Sequence, residues 1–416
     1  MVAGPPRILL ADCDQMFVAV ARLVDPEGAG KAPLLVVGGS AASRGVVCSA
    51  SYEARTFGVR SGMPIARAAR LCPGATFVPV PRHECGRKSR EVARVLDQWS
   101  PTVEAASIDE FYLDLSGTEA LYHHEPLETT AARIRAAALE TTGLSISFGG
   151  GTNRLVAKLA AERAKPKPGT GGTGVHIVPP GQEAAFLATH DLADIPGVGP
   201  KLQARLATYG LTTVQQALAV ERRSFEDWLG PRSGGWLFER IRGRGSSRLA
   251  PREPAKSMSR EETFAADISD DGTLDRELVA LVNRLTAQVR AEGLRARHVG
   301  VKLRDFDFKT RQASRTLERP VETNRAVLAV ARELLAGLRR RRRVSARLLG
   351  VALSRFEEEA TVAQLDLLVE KPVAAPRAEG RRDRVVAGVM DRINEKFGRN
   401  TVVPAVLTRG PAEDRS

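Results

Sequence analysis

The sequence predicts an α+β protein built from several domains, and three observations support this. At 416 residues with 43% hydrophobic side chains, the chain is too long for one core but can fill several. Short β-branched runs alternate with helical periodicity from 7 to about 178, whereas only helical periodicity follows from about 181 to 242. Residues 257–356 then show the order strand, helix, strand, strand, helix, strand, which is that of a ferredoxin-like βαββαβ sandwich.

Charge and cysteine content narrow the class of partner and the compartment. Lys plus Arg number 62 against 49 Asp plus Glu, and this net charge of +13 favours a polyanionic partner such as nucleic acid or an acidic membrane surface. The four cysteines lie far apart without a C-x-x-C pair, which indicates reduced thiols in a cytoplasmic protein rather than a zinc site or disulfides. No apolar run approaches 18 residues, so we expect neither a membrane span nor secretion.

The first region contains eight strand candidates and three longer helix candidates. The strands are expected at 8–12, 34–39, 45–50, 76–80, 102–106, 111–115, 144–148 and 175–178. The helices are expected at 82–99, 127–142 and 152–164. A Gly/Pro-rich break at 165–174 separates the last helix from the last strand.

A small all-α unit and a linker are expected next. The helix candidates lie at 181–189, 200–209, 212–220, 224–229 and 234–242. Residues 242–256 have the composition of a linker, and their charged side chains are all basic except Glu253. We therefore predict that this linker lies along an anionic partner.

The βαββαβ region and the tail carry further basic residues. The second and third strands of the region contain five cations, which we interpret as one face that tracks phosphates: Lys302, Arg304, Lys309, Arg311 and Arg315. The arginine run at 339–343 is also typical of a solvated helix end. In the tail after 357, a further helix is expected at 382–397.

Acidic residues at two places indicate a metal site. The first strand ends in Asp12, and Asp109 and Glu110 stand between two strand candidates. Neighbouring residues of a flat strand point to opposite faces, so Asp109 and Glu110 can act together only at a hairpin turn. If the first strand adjoins this hairpin, three carboxylates meet at one sheet edge, a set that suits two Mg²⁺ ions in nucleotidyl transfer. Each acidic pair by itself is also typical of an ordinary turn.

Other polar residues suit a triphosphate. Ser49 and Tyr52 offer hydroxyl groups, and Arg55 can bond phosphate oxygens in bidentate fashion. Lys165 follows a helix candidate and precedes a proline, where its charge could reach a β or γ phosphate. Taken singly, a tyrosine and an arginine on a helix more often serve packing and the surface.

Five motifs in one order resemble those of Y-family DNA polymerases of the DNA polymerase IV type, over roughly residues 5–356. They are DCDQMF at 12–17, SYEARTFGVRSGMP at 51–64, ASIDEFYLD at 106–114, NRLVAKLA at 153–160 and IPGVG at 195–199. The resemblance implies a right-hand polymerase fold with six segments. These are a ferredoxin-like palm at 1–15 and 80–174, small fingers at 16–79, an all-α helix-hairpin-helix thumb at 175–241, a basic linker at 242–256, a βαββαβ little finger at 257–356 and a tail at 357–416.

The resemblance also implies roles for individual residues. Asp12, Asp109 and Glu110 match the catalytic metal-binding triad, with the Cys13 backbone carbonyl as a further ligand of two Mg²⁺ ions, for which Mn²⁺ can substitute. Phe17 matches the aromatic ring that excludes a ribose 2′-hydroxyl, although alone it would be taken for a core residue. The positions that match contacts to the incoming triphosphate are Ser49, Tyr52, Arg55 and Lys165.

DNA contacts are implied as well. Gly197, Gly199 and Lys201 belong to the helix-hairpin-helix, whose backbone amides can bind a DNA phosphate without reading sequence. The other candidate DNA contacts are Lys256, Lys302, Arg304, Lys309, Arg311 and Arg315. Asp14 is expected instead to cap the helix that begins at Gln15.

Three departures from the family pattern lead to separate expectations. SFGGG at 147–151 is rich in glycine, which predicts a loose junction between palm strand and helix. KPKPG at 165–169 offers Lys167 as a competitor for the role of Lys165. QLDLL at 364–368 resembles the peptide by which such polymerases bind a sliding clamp, through Gln364, Leu365, Leu367 and Leu368, but it has leucine where an aromatic residue is more usual, so we expect weak binding.

The leading hypothesis is template-directed DNA synthesis across damaged bases without proofreading, by a monomer whose partners are primer-template DNA, deoxynucleoside triphosphates and a sliding clamp. One alternative is a catalytically silent relative that acts as a DNA-binding accessory protein, but such a relative should lack an acid of the triad. A second is a nucleotide cyclase, which would have no use for a helix-hairpin-helix or a basic second sandwich.

Overall fold

The computed structural model describes residues 4–358, apart from 42, 168, 170 and 251–253, and residues 379–408, apart from 399. Its residues form two compact units that divide between positions 253 and 254. Each unit has its own sheets, helices and hydrophobic core, and the two are described in turn.

The first unit contains two sheets and eleven α-helices among its described residues. The strands are β1 (Ile8–Cys13), β2 (Leu35–Val37), β3 (Ser49–Ala50), β4 (Thr76–Val78), β5 (Thr102–Ala105), β6 (Glu110–Asp114), β7 (Ile146–Gly151) and β8 (Val175–Ile177). The helices are α1 (Met16–Val24), α2 (Tyr52–Thr56), α3 (Ile65–Leu71), α4 (Arg82–Leu96), α5 (Leu127–Thr142), α6 (Arg154–Ala164), α7 (Glu183–Ala188), α8 (Pro200–Ala207), α9 (Val214–Leu218), α10 (Arg222–Leu229) and α11 (Pro231–Arg240).

The larger sheet has the strand order β5-β6-β1-β7-β8, with β1 at its centre. Because successive residues of a strand face opposite sides, β1 buries two different surfaces. Leu9 and Ala11 join a core with residues of α4 and α5, whereas Ile8 and Leu10 pack toward α6. Asp12 follows the second set, so its side chain lies on the face that α6 covers.

The boundary predicted between palm and thumb at 174/175 is wrong by a few residues. Strand β8 pairs in parallel with β7 and is the edge strand of the larger sheet, so residues 175–177 belong to the palm. A separate small sheet with the order β3-β2-β4 lies in the fingers segment, together with α2 and α3.

The loose junction predicted from the glycines of β7 is also wrong. All residues of this strand are buried. A Cβ atom at Gly149 would lie 1.9 Å from the Ala161 backbone nitrogen and 2.2 Å from the Ala157 oxygen. The glycine therefore lets α6 approach the sheet more closely than any side chain would permit. The junction is tight, not loose.

The region after β8 is entirely helical, as predicted, and its hydrophobic core also includes residues of α6. Helices α7 to α11 bury a set of apolar residues that includes Leu187, Val214 and Phe225. Gly197 adopts a left-handed φ of +100°, and a Cβ atom there would lie 2.7 Å from the ring of Trp236. The Ile195–Gly199 turn therefore requires glycine for both its backbone and its packing.

The predicted linker at 242–256 bonds to the palm at two places. Its contact with an anionic partner stays a prediction. The Asn153 side chain donates to the Gly243 carbonyl at 2.8 Å, and the amide of Ala250 donates to the Glu104 carboxylate at 3.0 Å. Glu104 in turn forms a bidentate ion pair with Arg154, with hydrogen bonds of 2.6 and 2.7 Å. This part of the linker thus follows a protein surface.

The second unit is the predicted βαββαβ sandwich with an added C-terminal helix. Its elements are β9 (Ser257–Ile268), α12 (Asp271–Ala291), β10 (Leu294–Asp305), β11 (Thr310–Val321), α13 (Asn324–Arg341), β12 (Ala346–Glu358) and α14 (Arg381–Phe397). The strand order is β11-β10-β12-β9, and α12 and α13 cover one face. Helix α14 packs on the same unit, where its Asp391 forms a bidentate ion pair with Arg290 of α12. Within the described residues, no helix is long and apolar enough to cross a membrane.

Candidate active site

The sheet brings the three predicted acids to one edge. Asp12 at the end of β1 lies directly opposite Glu110, the first residue of β6. Asp109 occupies the turn before β6, and its carbonyl accepts a hydrogen bond from the Cys13 amide at 2.9 Å. The Ser107 hydroxyl accepts from the Glu110 amide at 3.0 Å and donates to the Asp109 carboxylate, which fixes the turn. The predicted hairpin geometry is therefore confirmed.

Helix α6 supplies two lysines to these acids. Lys158 donates to both oxygens of Glu110, at 2.6 and 2.7 Å. Lys165, at the C-terminal end of the helix, lies 2.9 Å from Asp12 and 2.8 Å from Glu162. Sequence reasoning missed Lys158, although Arg154, Lys158 and Lys165 are spaced by four and seven residues, which places them on one helical stripe.

Burial makes the Asp12 carboxyl hard to ionise. The pKa of Asp12 is raised from 3.8 to about 6: desolvation by burial raises it most, Lys165 lowers it, and the nearby Glu110 and Asp109 add smaller increases. Each of the three acids has a protein partner, and the described part of the chain holds no group of three acidic, cysteine or histidine side chains arranged around a metal position. The backbone thus converges as predicted, while the carboxylates are engaged by Lys158, Lys165 and Ser107.

The capping role predicted for Asp14 is wrong. The residue at the N-terminal boundary of α1 is Gln15, which has a left-handed φ of 49° and forms no side-chain cap. Asp14 is buried, and its carboxylate accepts hydrogen bonds from Ser145 at 2.7 Å and from Ser147 at 2.8 Å. Its role is to join the end of β1 to the start of β7, which supports the position of Asp12.

The predicted triphosphate residues lie at the start of α2 and in the strand before it. Ser49 is buried in β3, and the Arg55 Nε donates to the Ala50 carbonyl at 2.9 Å. The Arg55 guanidinium stands 5.7 Å from the centre of the Tyr52 ring. Burial raises the pKa of Tyr52, Asp14 adds to this effect, and Lys165 counteracts it. Tyr52 therefore belongs to the same electrostatic environment as the acids and Lys165.

Phe17 and Lys167 complete this part of the site. Phe17 is the second residue of α1 and is half-buried, in contact with two hydrophobic clusters, so part of its ring faces outward. Lys167 pairs with Glu162, whereas Lys165 contacts Asp12 directly. Of the two lysines, Lys165 is the one that reaches the acids.

The helix-hairpin-helix turn has the geometry that its sequence predicts. Gly199 is the residue before α8, which begins with Pro200. A Cβ atom at Gly199 would meet nothing within 4 Å, so its surroundings are open, and Lys201 is exposed in the first turn of the helix. An open helix N-terminus with a nearby cation is a favourable place for a phosphate.

The basic residues of the second unit do not share one face. Lys302 pairs in register with Gln312, and Leu303 pairs with Arg311, so the side chain of Arg311 points to the side of the buried Leu303. Arg311 donates to the fully buried Asp305 at 2.7 Å, and Arg315 on the same side pairs with Glu333 of α13. The prediction of a single phosphate-tracking face is wrong for these two arginines, because the register puts them on the helix side.

Three candidates are left on or beside the opposite face. Lys302 and Arg304 lie on the side of β10 that faces away from the helices, where Lys302 pairs with Glu261, and Lys309 lies in the β10–β11 turn. Lys256 stands just before β9 and is exposed. The clamp-binding residues predicted at 364–368 lie outside the described part of the chain.

The arginine run at 339–343 is not simply a solvated helix end. Arg339 is buried and donates to Asp271 at 2.7 Å and to the Ser269 carbonyl at 2.9 Å. Arg342 bonds both Asp305 and Asp307. These two arginines hold the ends of strands and helices together.

Three protein-family models match separate stretches of the chain. The model of the impB/mucB/samB family matches residues 11–162, and the model of its C-terminal domain matches residues 255–367. A third model, described as the thumb domain of DNA polymerase iota, matches residues 193–244.

Several relatives are similar along nearly the whole chain. A DNA polymerase IV of Dehalococcoides mccartyi strain CBDB1 is 34% identical over 397 residues, which cover 95% of this chain and 96% of that protein. A DNA polymerase IV of Caulobacter vibrioides is 33% identical over 408 residues, or 98% of this chain and 95% of that protein. Among solved structures, the insertion ternary complex of Dbh DNA polymerase has a TM-score of 0.57 at 25% identity, over 84% of this chain and 98% of that chain. A Y-family DNA polymerase chimera shares the fold with a TM-score of 0.71 at 23% identity, over 85% of this chain and 99% of that chain.

Proposed function

Because this chain belongs to the Y family of DNA polymerases and is a DNA-directed DNA polymerase, we propose that it performs low-fidelity synthesis across damaged templates by two-metal-ion nucleotidyl transfer. The observation that carries the proposal is the convergence of Asp12, Asp109 and Glu110 at one sheet edge beside Lys165. In the reaction, the primer 3′-hydroxyl attacks the α-phosphorus of a deoxynucleoside triphosphate, and pyrophosphate leaves.

The donor set suits Mg²⁺. Three carboxylates and the Cys13 carbonyl are hard oxygen ligands, which this ion prefers. Burial is the largest cause of the raised pKa of Asp12, and the charges of Glu110 and Asp109 add to it, so a cation beside these acids would favour the ionised carboxylate. When bound, Mg²⁺ would lower the pKa of the attacking hydroxyl and neutralise charge on the triphosphate.

The remaining side chains would bind and select the nucleotide. Tyr52 and Arg55 offer a hydroxyl and a guanidinium to the triphosphate, with Ser49 beside them, and Lys165 adds a positive charge. The outward part of the Phe17 ring would collide with a ribose 2′-hydroxyl. Contacts to DNA would come from the helix-hairpin-helix at 195–199 and from Lys302 and Arg304, through phosphates rather than base edges.

The alternative of a catalytically silent accessory protein has no observation in its favour. All three acids are present, and their backbone positions are those expected of a working site. No feature of the described residues calls for the alternative.

Primer extension tests the proposal. Asp109→Ala and Glu110→Ala should each abolish extension with Mg²⁺, because each removes a metal ligand, and should leave DNA binding nearly unchanged. Glu140→Ala, which removes an exposed acid from α5 of the same domain, serves as the matched control and should extend primers at the wild-type rate. A lesion-bearing template run in parallel tests the translesion part. Extension by Asp109→Ala at the wild-type rate would refute the assigned site.

Further parts of the proposal rest on sequence alone. We propose that residues 364–368 bind a sliding clamp weakly and that the protein acts as a monomer. The cytoplasmic location expected from the reduced cysteines stays a prediction.

A further inference from the structure

The turn between β10 and β11 displays two phenylalanines. We call residues 305–309 the tip loop. Phe306 is 50% exposed and Phe308 is 63% exposed, although both are large apolar side chains. Neither belongs to the hydrophobic core of the second unit. Two exposed aromatic rings within three residues of one turn call for a functional explanation.

The backbone conformation of the tip loop also indicates a functional role. Phe308 has a left-handed φ of +65°. Its amide bonds the Asp305 carbonyl at 3.0 Å, and the Asp305 amide bonds the Lys309 carbonyl at 2.9 Å, so the turn is closed on both sides. Glycine or asparagine is the usual residue at the left-handed position of such short hairpin turns. An aromatic residue there is strained, which favours a role for the ring itself.

The loop is firmly anchored. Asp305 is fully buried and accepts hydrogen bonds from Arg311 and Arg342. Asp307 also bonds Arg342, which holds its pKa down to about 2. Both acids are therefore neutralised by arginines within the protein, and the two rings are presented from a fixed frame.

The surroundings of the rings are basic. The Arg347 guanidinium stands 4.6 Å from the centre of the Phe308 ring. The Lys309 side chain is 72% exposed, and Arg304 lies on the adjoining face of β10 that points away from the helices. Aromatic rings interleaved with cations match the two parts of a nucleic-acid strand, since bases stack on the rings and phosphates pair with the cations.

We propose that the tip loop is a binding site for unpaired nucleotides of single-stranded DNA, whose bases stack on Phe306 and Phe308. This site differs from a phosphate-tracking surface, because it would recognise bases as well as backbone charge. A protein partner is the less favoured ligand. The two acids of the loop are already engaged, so the surface offers aromatic and cationic groups but few acceptors for the donors of a protein surface.

The test uses the full-length protein and three DNAs of equal duplex sequence. One carries a 5′ overhang of normal nucleotides, one carries an overhang that is abasic at every position, and one is blunt. Phe308→Gly removes a ring and relieves the strained backbone, so it should fold at least as well as the wild type. Phe306→Ala removes the second ring. Phe397→Ala, which removes a phenylalanine that is 65% exposed on α14, is the matched control.

Fluorescence anisotropy then gives the ratio of affinities for the normal and the abasic overhang. Because each loop variant loses one stacked base, it should lower this ratio about fivefold or more, while binding to blunt DNA is unchanged. Phe397→Ala should keep the wild-type ratio. The proposal is overturned if Phe308→Gly and Phe306→Ala keep that ratio.

Discussion

Replacing Gly149 by alanine tests how closely α6 must lie against β7. The added Cβ atom would stand 1.9 Å from the Ala161 nitrogen and 2.2 Å from the Ala157 oxygen. Ordinary contact begins at 3.4 Å, so the separation from Ala161 falls short by 3.4 minus 1.9, or 1.5 Å. Both opposing atoms belong to the backbone of α6, so no side chain can rotate to make room and the helix itself must move.

The expected cost follows from this geometry. Overpacking a core costs about 1–3 kcal/mol, and the rigid helix puts this case at the upper end, about 3 kcal/mol. For a unit of this size each kcal/mol lowers the melting temperature by about 2–4 °C, so we expect a loss of about 6–12 °C. Primer extension should also slow, because the helix carries Lys158 and Lys165 toward the acids.

Thermal unfolding followed by circular dichroism is the assay. Gly86→Ala is the control, since Gly86 lies within α4 and an added Cβ would meet only the end of the Arg90 side chain at 3.6 Å. That variant should be as stable as the wild type or gain about 0.5–1 kcal/mol, because alanine favours a helix. A Gly149→Ala protein that melts with the wild type would refute the close-packing argument.

Three further predictions concern the site and the tail. The pKa of Asp12 rises from 3.8 to about 6 on folding, so its ionisation opposes folding by about 3 kcal/mol above pH 6 and by nothing below pH 3.8. In urea unfolding with EDTA, Asp12→Asn should therefore gain stability over the wild type as pH rises from 4 to 6, while losing activity; an equal difference at pH 4 and pH 7.5 would contradict this. Phe17→Val should incorporate ribonucleotides more readily in primer extension, and Phe17→Tyr, which keeps the ring, should not. Deleting residues 364–368 should abolish any stimulation by a sliding clamp and spare basal extension, so persistent stimulation would place the contact elsewhere.

The convergence of the three acids could be predicted from the sequence, because each acid lies at a strand end or a turn that neighbouring residues already indicate. Asp12 ends an apolar run, and Asp109 and Glu110 stand between two runs, so the sequence already indicates a strand end beside a turn. The lysines of α6 could not be paired in the same way. Their partners depend on how the helix crosses the sheet, and that crossing depends on the contact at Gly149.

The basic strands show the limit of periodicity. Alternation correctly puts Lys302 and Arg304 on one face of β10, and Arg311 and Arg315 on one face of β11. Alternation does not show whether the basic faces of β10 and β11 lie on the same side of the sheet, because that depends on which residues pair across the hairpin. The five-residue tip loop sets the pairing of Lys302 with Gln312, and this pairing turns the two arginines toward the helices.

Helix α6 links binding, chemistry and stability in the first unit. Its first residue, Arg154, bonds Glu104 and so helps to hold the linker, Lys158 bonds Glu110, and Lys165 beyond its end bonds Asp12. A triphosphate that approaches Lys165 must compete with Asp12 for the same ammonium group. Asp12 would then lose its counter-charge in a buried place, where an ionised carboxylate is costly without a cation. Nucleotide and Mg²⁺ should therefore bind with positive coupling, because each removes the cost that the other would otherwise meet.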